Sequence, residues 1–291
     1  DYWSLLNWFD PKMFSAYWKF YDNFVNAIYI QGFGGTRVEL GLKNVDGLAH
    51  TLSPYVLGRK KEEVAPELPE LLIKDVPLEM SKAHAALYKD IARKYFVDLQ
   101  AEGGEGATDA ELFIKSALHR LSLLQKAAID PSLVGSQAAG SKTEWIIDWL
   151  QDYDTEQLVV FTHYKDYANG LGVRLPNSAV ITGDVPIRRR DEIVSAFQGG
   201  SLRVLVGTID TMSESINLQN ARYAVFTDLH SSSILMNQAY GRVHRIGSRS
   251  DVVIARLLTE KTVDYLAKAR LEKKFNDIQT VQNLLAHMRA Q

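Results

Sequence analysis

The sequence has 291 residues, a length that suits roughly two domains, and with 46% apolar and 23% charged residues it has the composition of a folded chain, not a disordered one. Lys and Arg total 33 against 35 for Asp and Glu, a formal charge of −2, which excludes a globally basic nucleic-acid-binding domain but not a local basic groove. The absence of cysteine excludes disulfides, Cys-ligated zinc, iron–sulfur clusters and a thiol nucleophile together.

In chain order, Asp1-Tyr2-Trp3-Ser4 is neither a signal peptide nor an initiator methionine, so the sequence is expected to open part-way through a longer chain. No apolar run approaches the roughly 18 residues of a membrane-spanning helix. The expected location is intracellular, cytoplasmic or nuclear. Residues 1 to about 55 are rich in aromatics, and Tyr17, Phe20, Tyr21 and Phe24 recur at the i, i+3, i+4, i+7 spacing of an amphipathic helix packing its stripe into a core. Gly32, Gly34 and Gly35 then mark a loop. The charged run Arg59-Lys60-Lys61-Glu62-Glu63-Val64 ends near Pro66 and Pro69, and Leu71-Leu72-Ile73 with Val76 and Leu78 predicts a strand or extended crossover. Helix formers dominate from Ser81, a plausible N-cap, to about Gln100. Residues 101–107 are a flexible loop, a second helix covers roughly 109–129, and Pro131, Gly135 and Gly140 form a linker.

The second half is more regular. Short apolar runs at Leu158–Phe161, Ala179–Ile181, Val204–Val206, Ala224–Phe226 and Val252–Ala255 recur every 20 to 29 residues. Helical stretches separate the first three, one of them starting at Pro186 and carrying Ile187, Ile193, Val194 and Phe197 on one face. Continuous apolar strands alternating with helices indicate an α/β fold, a parallel sheet with helices on both faces, over residues 141–260. Each run ends in polar or small residues: Thr162-His163, Thr182-Gly183-Asp184, Gly207-Thr208 and Thr227-Asp228. In open α/β sheets ligands bind just beyond such strand ends.

A nucleotide-binding α/β domain calls for a phosphate loop, yet G-x-x-x-x-G-K-[S/T] is absent and no Gly-Lys pair occurs. Asp191-Glu192-Ile193-Val194 follows three arginines and opens a helix turn, so it is a decoy for a magnesium-binding DExx box. The seven histidines are scattered with no close pair, so no metal site is expected. A G-x-S-x-G elbow and a G-x-G-x-x-G turn after the first strand are also missing, which removes Ser–His–Asp hydrolysis and a Rossmann dehydrogenase. What remains is the decapeptide Gln238-Ala239-Tyr240-Gly241-Arg242-Val243-His244-Arg245-Ile246-Gly247. Arg242 and Arg245, three apart, would project from one helix face. Two guanidiniums there suit multidentate binding of a polyphosphate, in the manner of arginine fingers.

This decapeptide closely resembles the sixth motif of superfamily-2 helicases of the Swi/Snf type, double-stranded DNA translocases, with Ser248 in place of the usual final glutamine. The resemblance runs along nearly the whole chain. Leu158–Thr162 is similar to the motif IV strand, and Thr182-Gly183-Asp184 with Arg188–Arg190 to the segment before motif V. Val204–Leu218 resembles motif V, and Val225–Leu229 the strand before the last motif. Upstream, Trp3–Pro11 resembles the segment after motif III, and Arg59–Val64 with Leu68-Pro69 the stretch between the lobes. Motif V departs from the family pattern, because Met212, Ser213 and Ser215 stand where glycines would bring backbone amides close to a phosphate.

The resemblance implies a RecA-like second helicase lobe preceded by mainly helical insertion segments. It divides the chain into a helical remnant of the first lobe's insertion (1–70), a crossover and helical protrusion of the second lobe (71–140), the RecA-like C-terminal lobe itself (141–260) and a helical C-terminal extension (261–291). It implies ATP and Mg2+, held mainly by a preceding N-terminal RecA-like lobe, and double-stranded DNA as partner, bound through its backbone. Arg242 and Arg245 would reach the ATP γ-phosphate, with Gln238 and Gly241 on the nucleotide side. Thr162, His163, Thr182, Gly183, Thr208 and Asn217 would line the DNA track, where short polar side chains and free amides suit phosphate contacts. Arg188–Arg190 either adds to that track or is a solvated helix face. His244 packs the motif, and Lys142 sits where the family often carries Ser-Gly-Lys. Lacking a phosphate loop, the chain alone is expected to hydrolyse no ATP. The rival reading is a non-catalytic DNA-binding or regulatory module that keeps the fold without turnover.

Overall fold

A computed structural model describes residues 2–30, 36–57, 65–102, 110–214, 216–248 and 250–290. The glycine loop, the Arg59–Val64 run, most of the 101–107 loop and Ser215 lie outside the described residues. The chain forms two compact units, one made of residues 1–66 and 272–291 and the other of residues 67–271.

In the first unit, helices α1 (Tyr2–Phe9) and α2 (Tyr17–Phe24) precede an antiparallel pair, β1 (Val25–Ile30) and β2 (Thr36–Leu42), then helix α3 (Val45–Leu52). The predicted aromatic stripe lies on α2, with Tyr21 and Phe24 buried. Phe24 joins Leu6, Phe14, Leu48, Leu52, Val281 and Leu285 in one core. The β1–β2 pair is a difference from the mainly helical expectation. Its register shifts between Asn26 and Ala27, opposite Gly41, whose φ of 141° favours glycine.

The second unit holds a six-stranded sheet. Its strands are β3 (Leu71–Leu78), β4 (Leu158–Thr162), β5 (Ser178–Ile181), β6 (Val204–Thr208), β7 (Tyr223–Phe226) and β8 (Val252–Thr259), in the order β3-β8-β7-β4-β6-β5. Every pairing is parallel. Strands β4 and β6, flanked on both edges, are buried at every residue, which is why they are continuous apolar runs and not alternating ones. The flanking helices are α4 (Lys82–Glu102), α5 (Ala110–Ile129), α6 (Ser141–Asp152), α7 (Lys165–Arg174), α8 (Ile187–Gln198), the single turn α9 (Ile209–Met212) and α10 (Ser233–Val243), while α11 (Asp264–Ala290) begins here and ends in the first unit. Ser81 caps α4 by accepting the His84 amide at 3.2 Å. The sheet is of the RecA-like type.

Residues 71–78 are a full edge strand paired with β8, so they and the helices up to Ile129 belong with the sheet. Arg256 on β8 bonds Asp75 on β3 at 2.6 Å, and Lys268 bonds the same carboxylate at 2.7 Å. No helix among the described residues is long and apolar enough to cross a membrane.

Candidate functional site

The carboxyl ends of β7, β4 and β6 lie side by side, with Thr162 opposite Thr208 and Phe161 opposite Phe226. Asp228, half-buried just past β7, ties these ends together. It accepts the Thr162 hydroxyl at 2.9 Å, the Thr227 hydroxyl at 2.9 Å and the His163 amide at 3.1 and 3.0 Å. Desolvation pushes its carboxyl above the ordinary range, against the Lys142 charge and the Thr162 and Thr227 donors.

The predicted track residues divide by exposure. Thr162, Thr182 and Thr208 are buried, and the hydroxyl of Thr208 donates to Thr211 at 2.8 Å. Thr162 and Thr208 are the last residues of β4 and β6, and Thr182 is the residue just after β5, where a buried polar group must be satisfied internally. His163, Gly183 and Asn217 are exposed, and a Cβ added at Gly183 would meet nothing within 4 Å. Arg190 donates to the carbonyls of Val185 at 2.7 Å and Gly183 at 3.1 Å, so it shapes this turn. Arg188 and Arg189 pair with Glu192 along the exposed face of α8, where the decoy Asp191-Glu192 also lies.

Sequence reasoning missed one cluster. His163, Asp210 and His230 follow β4, β6 and β7 and meet in space. His163 Nδ1 lies 3.4 Å from Asp210, His230 Nε2 lies 3.8 Å from it, and the two imidazole centroids are 5.1 Å apart. The histidines without a close pair in sequence thus include a close pair in the fold. The usable signal was their shared place just beyond neighbouring strand ends. These groups could offer three ligand atoms to a cation. However, the Ser232 amide donates to His230 Nδ1 at 2.9 Å, which leaves the proton of the neutral ring on Nε2, the atom facing Asp210. A metal ligand needs the opposite arrangement, a bare Nε2 with Nδ1–H donating outward. Desolvation holds the His230 pKa below its ordinary value, in keeping with a neutral ring.

The two arginines are not on one helix face as expected. Helix α10 ends at Val243, and His244 turns to an extended conformation. Arg242 is therefore in the last helical turn, and Arg245 is in the turn beyond. There the Ser248 amide donates to the Arg245 carbonyl at 2.9 Å, the Arg245 amide to Ser248 Oγ at 3.2 Å, and Ser248 Oγ to the Val243 carbonyl at 3.2 Å. Both guanidiniums are nonetheless tied to the segment after α9. Arg242 Nε donates to the Ser213 carbonyl at 2.8 Å, and Arg245 Nη1 donates to Asn217 Oδ1. The Leu218 amide completes the attachment by donating to the Arg242 carbonyl at 3.0 Å. Gln238 is exposed on α10, and Gly241 is half-buried one residue before Arg242.

Comparison with known proteins adds to this geometry. The model of the helicase conserved C-terminal domain matches residues 141–247, and that of the SNF2-related domain matches residues 1–133. The chain belongs to the Swi/Snf-type superfamily-2 helicases. An uncharacterized ATP-dependent helicase of Mycoplasma genitalium is 23% identical over 269 residues, covering 91% of this chain and 25% of that protein. The DNA annealing helicase and endonuclease ZRANB3 of Bos taurus is 25% identical over 272 residues, covering 91% of this chain and 24% of that protein. The chain thus spans about a quarter of the length of these relatives. Among solved structures, the C-terminal part of the Fun30 ATPase domain aligns with a TM-score of 0.59 at 12% identity, covering 76% of this chain and 99% of that one. The Sulfolobus solfataricus SWI2/SNF2 ATPase core in complex with dsDNA aligns with a TM-score of 0.57 at 23% identity, covering 82% and 53%.

For a Swi/Snf-type chain the motif V departure now has a location. Met212 and Ser213 are fully buried. A Cβ at Gly207 would lie 2.6 Å from Met212 Sδ, so the methionine fills the space that a glycine on β6 leaves. His244 is buried, with Nε2 donating to the Pro69 carbonyl at 2.8 Å, a packing role. Lys142 is wholly buried and donates to the Thr227 carbonyl and to Asp264, each at 2.6 Å.

Proposed function

We propose that this chain is the second RecA-like lobe, with adjoining segments, of an ATP-dependent translocase that couples ATP hydrolysis to movement along duplex DNA. The observation that carries the reading is the tethering of two guanidiniums to one segment. Among the described residues, Arg242 donates Nε to Ser213 and Arg245 donates Nη1 to Asn217, which leaves most of their ten N–H donors for a polyphosphate. Arg242 and Arg245 act as arginine fingers on the γ-phosphate of ATP held by a preceding lobe, with Gln238 and Gly241 positioning the nucleotide side. Guanidinium and amide donors suit phosphate and not a cation, so Mg2+ falls to carboxylates of that preceding lobe. Relatives named as ATP-dependent helicases, about four times as long, support such a lobe.

Duplex DNA is bound through its phosphates. His163, exposed at the end of β4, and the open Gly183 turn supply contacts, while Thr162, Thr182 and Thr208 hold the strand ends that present them. Such contacts position a strand without reading its bases. The inward packing of Met212 and Ser213 supports turnover over the non-catalytic reading, because these side chains do not occupy the surface where a phosphate would approach.

The test is DNA-stimulated ATPase activity of the full-length protein. Arg242→Ala and Arg245→Ala are each expected to lower kcat by about 10³–10⁵, the scale of an arginine finger, and to leave DNA affinity within about twofold. Near-normal turnover in both variants would overturn the assignment. The 291-residue chain alone is expected to show no ATP turnover.

A further inference from the structure

We propose that Asn217 is a positioning residue for Arg245, an inference that rests on Arg245 acting at the ATP phosphates. An exposed arginine on a turn has the rotamer freedom of a long, unbranched side chain, and fixing it is costly unless something holds the tip. Here both ends are held. Ser248 fixes the Arg245 backbone through its own amide and hydroxyl, and Gly247, at a φ of 101°, allows the chain to turn between them. The tip donates Nη1 to Asn217 Oδ1.

Asn217 is itself firmly placed. Its neighbours Ile216 and Leu218 are buried anchors, so the alternating side chain between them faces outward. Its carbonyl accepts Gln198 Nε2 at 2.8 Å from the end of α8, and Asn220 Nδ2 returns to the Gln198 carbonyl at 2.9 Å. The adjacent Leu218 amide is bonded to Arg242. One short segment, 213–218, therefore sets both arginines, Arg242 through a main-chain carbonyl and Arg245 through a side chain. Only the second can be removed by substitution without touching the backbone.

In the full-length protein, Asn217→Ala is expected to lower the kcat of DNA-stimulated ATP hydrolysis about tenfold, the scale of one lost hydrogen bond to a charged group. KM for ATP and Kd for duplex DNA should stay within about twofold. Asn217→Asp, which keeps the acceptor oxygen, is expected to recover most of the rate. In 15N-arginine spectra the Arg245 Nε–H signal should become mobile in Asn217→Ala while that of Arg242 stays ordered. Loosening of both arginines, or weaker DNA binding at unchanged kcat, would overturn the proposal. Normal turnover in Arg245→Ala overturns the arginine-finger reading itself, whereas normal kcat in Asn217→Ala beside an inactive Arg245→Ala overturns only the role of Asn217.

Discussion

Lys142 Nζ lies 2.6 Å from Asp264 Oδ2 although the lysine is wholly buried, joining the first turn of α6 to the first residue of α11. The same ammonium donates to the Thr227 carbonyl, and the same carboxylate oxygen accepts the Thr259 amide at 2.8 Å. The pair locks the ends of β7 and β8 beneath the site. Removing one member strands the other charge in the interior, so Lys142→Met is expected to cost about 3–5 kcal/mol. Urea denaturation checks this, and a loss under about 1 kcal/mol would mean that the charge is relieved some other way.

Gly207→Ala is expected to destabilise the sheet unit by about 1–3 kcal/mol. A Cβ there would lie 2.4 Å from the Ile181 carbonyl, which belongs to the neighbouring strand and cannot give way, and 2.6 Å from Met212 Sδ, which can. Adding Met212→Ala should therefore not restore stability. Thermal unfolding of the single and double variants measures the difference.

Two carboxyls carry pH dependences of opposite sign. Asp228 is raised, first by desolvation, so the native state binds its proton more tightly than the unfolded chain. Its contribution to stability is greatest below about pH 4 and falls as pH rises through the native value. Asp228→Asn keeps an oxygen for the Thr162, Thr227 and His163 donors, so it should be at least as stable as the parent at pH 7, with the advantage shrinking towards pH 4. For Asp75, desolvation pulls upward, but hydrogen bonds and charges from Arg256 and Lys268 bring its pKa down. Its contribution is full above about pH 4 and is lost as pH falls through the depressed value. Asp75→Asn should destabilise at pH 7 and converge with the parent in acid. Denaturant midpoints measured from neutral to acid pH follow both trends.

Duplex binding by the full-length protein is expected to weaken steeply with salt and to vary little with sequence, because phosphate contacts release counterions and carry no base readout. Fluorescence anisotropy across a salt series, on two duplexes of unrelated sequence, reports both. Salt-insensitive binding to one of them would contradict the backbone-tracking reading.

The five apolar runs predicted as strands are all strands of one parallel sheet, because a strand covered on both faces leaves a period-free apolar signature that few other elements share. The edge strand Leu71–Leu78 was ambiguous for a physical reason. Lys74 and Asp75 interrupt its apolar residues, and only pairing with β8 and the bond to Arg256 decide its state. The β1–β2 pair was not legible, since it follows an aromatic helix without a break and gains its order from cross-strand bonds. Similarly, a helical reading of 238–247 placed both arginines on one face, but α10 stops at Val243.

By itself the sequence determined the class of the second unit, the motif that names the family and the two arginines that carry its charge, since each rests on local pattern and residue chemistry. Tertiary structure decided which groups reach the surface and what each one touches. Thr162, Thr182 and Thr208 read as ligands and are buried. His163, Asp210 and His230, distant in sequence, meet beyond three adjacent strands. Asn217, expected along the DNA track, accepts a hydrogen bond from Arg245. The reason is the same in each case: exposure and hydrogen-bond partnership depend on residues brought together from far along the chain, and no local window contains both members of such a pair.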